Sequence, residues 1–415
     1  MYDILYNEHL NRKDLTKMTL PNEIYVLKNY DTPLLEFYFS KEILELNTVH
    51  ITKINHNFEY LLPVYLQNNL NDLSLKKWLK SRSIPSKRVN MKEMTKKLNI
   101  NMNNVQELLE YSKGLSLNDC FWICKKDENI KFDDVNLYDN SFSKEISLLA
   151  FNDKNTRNLL IEKHQYSPEF TTNGILPKCW QIINGQRVLY KGNRQNLAVF
   201  SEFYASQIAE ILNFNHVDYD LKEFKGTIAS TCSLFTSKEI GYIPIGYYIK
   251  GDSIGEVNKL LKELSKENVQ IYKDFQNMIL FDALIYNIDR HFGNFGFLVD
   301  NKTMKIIGLA PVFDNGASLF SNLNIGDFLE INSMTGLNNY AKDKLNSFYG
   351  ISFDVLVQNI CSKDMINDLK KLNDFHLKSY DNYNLSDMRL EIIENFVIKR
   401  ALELIDILIE KNNEI

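Results

Sequence analysis

Apolar and polar positions alternate with a period of two near the start of the chain. Glu23 to Lys28, Leu34 to Ser40, Val49 to Ile54 and Phe58 to Val64 read as strands, with turn signals at Asn29-Tyr30-Asp31 and Asn55-His56-Asn57. Between 71 and 113 the period lengthens to that of a helix. Leu73, Leu75, Trp78 and Leu79 stripe one segment, and Val105, Leu108, Leu109 and Tyr111 another. From 115 to 142 aromatic residues mix with acids without a period, which predicts an irregular connector packed by its aromatics. Strands return at Cys179 to Ile183 and Arg187 to Lys191, joined by Asn184-Gly185, a strong hairpin signal. A helix is predicted from Ser201 as N-cap, with Glu202 in its first turn, where an acid suits the helix dipole. Gly226 to Thr236 reads as a further strand.

Beyond Ser253 the pattern is mostly helical, with one interruption. Phe275, Met278, Ile279, Phe281, Ala283, Leu284, Ile285 and Ile288 predict a largely buried helix over Asp274–Ile288. Phe295–Val299 and Met304–Leu309 then read as a hairpin across Asp300-Asn301-Lys302. Phe353–Cys361, Lys363–Leu372 and Ser386–Lys411 are the clearest later helices, and the last is apolar enough to complete a core. The fold class expected is α+β. The expected divisions are a small β-rich module at 1–66, a helical basic segment and connector at 67–150, and a third unit at 151–415.

Composition narrows the class only a little. Apolar residues make up 44% and charged residues 24% of the 415, as in ordinary globular proteins, and the net charge is −5. No basic segment followed by an apolar run opens the chain, and nothing later is apolar for long enough to span a bilayer, so a cytoplasmic protein without membrane association is expected. Five scattered cysteines lack the spacing of a zinc site and are expected as reduced, packed thiols. Charge is uneven in one place. Lys76, Lys77, Lys80, Arg82, Lys87, Arg88, Lys92, Lys96 and Lys97 face only Asp72 and Glu93 within 71–100. Such an excess is either a solvated helix face, the commoner case, or a site for nucleic acid or an acidic partner.

The chemistry concentrates where the helical pattern breaks. Asn287-Ile288-Asp289-Arg290-His291-Phe292-Gly293-Asn294 follows the buried helix, and the hairpin after it returns the chain to Asp314. Two carboxylates and a carboxamide would therefore meet at one end of a ribbon, offering the hard oxygen ligands that magnesium on a nucleotide phosphate requires. Asp289 and Asn294 are spaced so that one can face a hydroxyl and the other a metal, as in kinase catalytic loops. The same residue types also compose ordinary helix-to-strand turns; the second cluster, Ala310 to Gly316, is what favours the chemical reading.

Asn-x-Asp-Arg-His-x-x-Asn, a hairpin, and then Pro-x-x-Asp resembles the HipA-like serine/threonine kinases, over about Ser167 to Ser318 with a helical tail behind. The resemblance implies a two-lobed kinase at 151–415, with a small lobe to about 240 and a large lobe after it. It implies ATP and Mg2+ as cofactors, and transfer of the γ-phosphoryl group to a Ser or Thr of a protein substrate, in a toxin- or effector-like role. Asp289 would receive the hydroxyl proton, with Asn294 and Asp314 on the metal. Lys191, supported by Glu202, would hold phosphates under a loop that includes Gly174 and Lys178. Ser233, Leu234 and Phe235 would stand at the hinge, where Ser233 replaces the family's usual Glu. Arg290 and His291 would steady the loop. Ser167, Thr171 and Thr172 offer hydroxyls for autophosphorylation of the phosphate-covering loop, and an antitoxin-like partner is the other expectation. Members of the family usually carry a different, shorter N-terminal subdomain, and the resemblance gives no mapping of residues 1–150 onto it. A lipid or small-molecule kinase related to the phosphatidylinositol 4-kinases, and a nucleic-acid-binding regulator acting through 71–100, are the alternatives.

Overall fold

The computed structural model describes residues 23–40, 48–83, 91–101, 104–151, 166–172, 174, 176–192, 197–331, 333–380 and 383–410, with 91–93, 325 and 334 as backbone only. Lys87, Arg88 and Lys92 of the basic stretch thus have no described side chain.

Three antiparallel sheets organise these residues. The first comprises β1 (Tyr25–Asn29), β2 (Thr32–Ser40), β3 (Thr48–Ile54) and β4 (Phe121–Lys125), in the order β3-β2-β1-β4. β4 falls within the segment expected to be an irregular connector. It escapes the alternation rule because both its faces are buried. Phe121 and Ile123 enter the cluster around Leu27, Phe37 and Leu75, while Trp122 and Cys124 enter a second one around Phe132 and Leu137. The strand expected at Phe58–Val64 is instead a 3-10 helix, His56–Leu61. Pro63 cannot donate to a ladder, and Phe58 and Leu62 close their backbone bonds locally on Asn55 and Glu59.

The second sheet holds β5 (Lys178–Ile183), β6 (Gln186–Gly192), β7 (Asp220–Phe224) and β8 (Thr227–Ser233), ordered β5-β6-β8-β7. Asn184 and Gly185 both take positive φ (50° and 80°), the geometry that a two-residue hairpin matched to strand twist needs. The helix behind this sheet runs over Leu197–Leu212, so Ser201 is no N-cap and Glu202 lies past the first turn. Val199 and Phe200 are buried and continue the helix upstream, while the Ser201 hydroxyl donates to the Ser318 carbonyl at 2.9 Å. β7, which carries a single buried residue, Leu221, gave no readable alternation.

The third sheet, β9 (Ile240–Pro244), β10 (Gly296–Asp300) and β11 (Ile306–Leu309), is ordered β11-β10-β9 and sits among helices Ile254–Leu264, Val269–Ile285, Met334–Lys344, Phe353–Ile360 and Asp387–Glu410. Lys363–Leu372, expected as one helix, is broken into two 3-10 turns around Ile366–Leu369. A single apolar cluster joins the Leu197–Leu212 helix, the buried helix Val269–Ile285 and the C-terminal helix. No described helix is long and apolar enough to cross a membrane. All five cysteines are free thiols, four of them buried.

Candidate functional site

The buried helix ends at Ile285, and Tyr286 takes a left-handed conformation (φ 49°) that turns the chain into the loop. What fixes that loop is a buried arginine. Arg290 is 1% exposed and forms an ion pair with Asp282, Nη2 to Oδ1 at 3.0 Å, on the last turn of the helix. Its remaining donors reach the Asn294 carbonyl (3.1 Å), the Phe313 carbonyl and Asn315 Oδ1 (2.6 Å). Asn287, also buried, donates to Asp282 at 3.1 Å. A guanidinium with five fixed donors thus joins the helix end, the loop and the segment after the hairpin. Burial pushes the Asp282 carboxyl upward, and Arg290 opposes that shift by charge and hydrogen bonding.

On this frame the expected residues converge. Asn294 Nδ2 donates to the Asp289 carbonyl at 2.9 Å, so the amide oxygen is the branch left for another partner. Asp289 itself is exposed at the loop's edge. Desolvation and the nearby Asp314 charge raise its carboxyl pKa, against His291 and Arg290, which lower it. Asp314 adopts positive φ (57°), a conformation that aspartate tolerates and that functional turns often use. Its N–H donates to the Tyr219 hydroxyl (3.2 Å), and its Oδ1 accepts from Lys191 Nζ at 2.9 Å.

Lys191, at the end of β6, also donates to Glu202 Oε1 at 2.6 Å, and the Ser230 hydroxyl of β8 donates to the other Glu202 oxygen. Burial alone would lower the lysine's pKa, but Asp314 and Glu202 hold it well above the ordinary value, so it stays charged. Burial would likewise raise the Asp314 pKa; Lys191, Lys178 and Arg290 outweigh it and hold that carboxyl far below the usual range. Lys178 pairs with Lys191 across the β5–β6 ladder, which places both ammonium-bearing side chains on one face. Gly174 lies against Lys178: a Cβ there would come within 2.1 Å of its Nζ, and the glycine's φ is +103°.

The other expected residues sit as follows. Ser233 ends β8 and is exposed; the Leu234 N–H donates to the Arg187 carbonyl at 2.9 Å. The Phe235 ring lies 5.3 Å from that of Phe313, next to Asp314. Ser167 and Thr171 are buried, and the Thr171 hydroxyl donates to the Leu115 carbonyl at 2.8 Å. Thr172 is partly exposed, with its hydroxyl donating to Pro168 and accepting from Trp180 Nε1 at 3.0 Å.

Asp282, Asn315, Tyr219, Ser230 and Glu169 escaped the sequence reading. Asp282 alone left a signal, as an acid inside an otherwise apolar helix that must have a partner. Glu169, fully buried, accepts from the Trp180 N–H at 2.7 Å and anchors the loop to β5. In the basic stretch, Arg82 is buried and bidentate on Asp119, so it is not part of any solvent-facing cationic surface.

No family model matches the sequence. Over 134 residues the chain is 28% identical to the serine/threonine-protein kinase CtkA of Helicobacter pylori (strain J99 / ATCC 700824), a match spanning 29% of this chain and 40% of that relative. The crystal structure of the Helicobacter pylori proinflammatory kinase CtkA aligns with 57% of this chain and 94% of its own, at 16% identity and a TM-score of 0.44. A structure of the Shewanella oneidensis MR-1 toxin–antitoxin system, HipA with HipB and operator DNA, aligns with 94% of this chain and 99% of its own, at 13% identity and a TM-score of 0.52. The fold is therefore α+β and matches that structure over most of the chain. Because the match covers 94% of the chain, it extends into residues 1–150. The likeness of sequence and structure to HipA-like and CtkA serine/threonine kinases agrees with the resemblance carried by the loop residues.

Proposed function

We propose that this chain is a serine/threonine protein kinase of the HipA and CtkA type, using ATP and Mg2+, with its kinase unit at 151–415. The small lobe would extend to about residue 240 and the large lobe over the remainder. The observation that supports this most is the continuous polar chain Ser230–Glu202–Lys191–Asp314, set beside a catalytic-type loop clamped by Arg290. A lysine held charged and fixed by two carboxylates is prepared to meet phosphate oxygens. Asp314 and the Asn294 amide oxygen form a hard-oxygen set of the kind magnesium takes, and the strongly depressed Asp314 pKa keeps that carboxylate ionised, so the donor set fits. Bound Mg-ATP would supply the transferable phosphoryl group and neutralise its charge.

The chain's own residues then divide the work. Asp289, exposed and with a raised pKa, accepts the proton of the incoming Ser or Thr hydroxyl. Lys191 orients the phosphates, and Glu202 keeps it in place. Gly174 and Lys178 close over them, and backbone groups of 233–235 meet the base. Incubation with labelled ATP, Mg2+ and mixed protein and lipid substrates tests the reading. Phosphorylated Ser or Thr in protein, lost in Asp289→Asn, supports it; label confined to lipid or to small molecules overturns it in favour of the alternative kinase class.

The loop hydroxyls extend the reading to regulation. Ser167 and Thr171 are buried, so a phosphate of about −1.5 to −2 charge on either would displace the loop from the place where ATP phosphates belong. Modified protein would lose nucleotide binding. HipB and operator DNA are the partners of the solved HipA complex; for this chain a protein or nucleic-acid partner is tested by direct binding, with Lys76→Glu and Lys80→Glu as controls.

A further inference from the structure

Next to the Asp289 loop the large lobe has a concavity of about 530 Å³, lined by Asp252, His291, Phe292, Gly293, Phe348 and Tyr349. Its wall starts two residues after Asp289, whose carbonyl accepts the His291 N–H at 2.8 Å. Phe348 is 48% exposed and turns part of its ring to this space. The concavity is also held open. The Phe292 ring lies 6.4 Å from Phe348 and 5.4 Å from Tyr349, and His291 is 5.8 Å from Phe348. The backbone under it is pinned from two sides: the Tyr349 hydroxyl donates to the Arg290 carbonyl at 2.8 Å, and the Tyr242 hydroxyl to the Gly293 carbonyl at 2.9 Å. A Cβ on Gly293 would come within 2.8 Å of the His291 ring, so a larger residue would disturb this floor. At the rim stands Asp252, exposed and, among the described residues, paired with no cation.

We propose that this concavity is the docking subsite for the protein substrate, taking a large apolar or aromatic side chain near the phosphoacceptor and a lysine or arginine beside it. The inference rests on the kinase reading above and specifies its substrate. Aromatic walls match an apolar side chain, and the one carboxylate of the lining, Asp252 at the exposed rim, attracts a basic residue and repels the phosphates of a lipid headgroup. Because the concavity adjoins the Asp289 loop, the proposal places the docked side chain close to the phosphoacceptor along the substrate. At roughly 3.3–3.6 Å per extended residue, a side chain in the concavity belongs two or three positions from the hydroxyl that meets Asp289.

The test uses the full chain and serine peptides that carry Phe and Arg, Phe and Glu, or Ala and Ala at those flanking positions. The Phe/Arg peptide should have the lowest KM, and Phe348→Ala should raise that KM about tenfold while leaving KM for ATP in place. Asp252→Lys should reverse the charge preference toward the Phe/Glu peptide, a gain that misfolding cannot produce. Equal KM values for the three peptides, or an Asp252→Lys variant that still prefers Arg, would overturn the proposal even if proteins are phosphorylated. Anisotropy of the same labelled peptides on Asp289→Asn protein separates the two ideas. Selective binding without any phosphoryl transfer by the parent upholds the subsite and removes the kinase reading; unselective binding removes the subsite.

Discussion

Asp289 and Asp314 show how the surroundings shift one residue type in opposite directions. Asp314 faces Lys191, Lys178 and Arg290 and stays ionised well below the ordinary carboxylate range, which suits a metal ligand. Asp289, exposed at the loop's edge, is only partly desolvated but also feels Asp314 as a like charge, so its pKa rises, which suits a group that must accept a proton. Asp289→Asn is expected to reduce kcat by ~10²–10⁴-fold with Mg-ATP binding retained, measured by steady-state kinetics alongside nucleotide titration. Asp314→Ala should weaken magnesium-dependent nucleotide binding instead. The pH dependence follows with its sign. In the proposed role Asp289 works deprotonated, so kcat/KM should fall as pH drops through its raised pKa, and the acid limb should lie above the ordinary aspartate value of about 4. An acid limb at or below that value, measured on the parent enzyme, would contradict the assignment.

At the scale of elements, the loop is held by burial rather than by its own turn chemistry. Arg290 and Asp282 are both almost fully buried, and each would be left as an uncompensated charge without the other. Arg290→Ala should therefore cost about 3–5 kcal/mol of stability, seen as a lowered midpoint in denaturant unfolding. Arg290→Lys should rescue little, because a single ammonium cannot span Asp282, Asn315 and two backbone carbonyls. The same logic explains why the Leu197–Leu212 helix begins ahead of Ser201. Its apolar first turn packs inward, and Ser201 bonds to the segment beyond Asp314 instead of capping.

Across the whole molecule, residues 1–150 are tied to the chain that follows β8. The Tyr242 N–H donates to the Asn118 carbonyl at 2.7 Å, and the Thr236 hydroxyl to Leu117. Asn29 donates to the Asn301 carbonyl at 3.0 Å, and Lys238 is paired with Asp139 at 2.6 Å. Residues 1–150 thus brace the segment 236–242, which in the proposed two-lobed kinase would connect the lobes. Replacing Thr236 by Val and Asn29 by Ala removes bonds worth about 1 kcal/mol each. Faster amide exchange across 234–242, with an increased KM for ATP, is the expected result; exchange unchanged from the parent would show that the brace carries no strain between the lobes.

Local patterns determined much of this protein. The β5–β6 hairpin, the buried helix before the loop, the β10–β11 ribbon and the Asp289, Asn294 and Asp314 cluster were legible because period, turn residues and spacing are properties of short stretches. Tertiary structure alone decided the rest. β4 is buried on both faces and so lacks alternation, and its partner β1 lies about ninety residues earlier in the chain. Asn315, Tyr219 and Ser230 acquire their partners only when distant segments meet, as when Ser230 reaches Glu202 across 28 residues and Tyr219 reaches Asp314 across 95. Sequence periodicity records which side of an element faces inward; it does not record which buried polar group waits there, and in this chain that pairing builds the site.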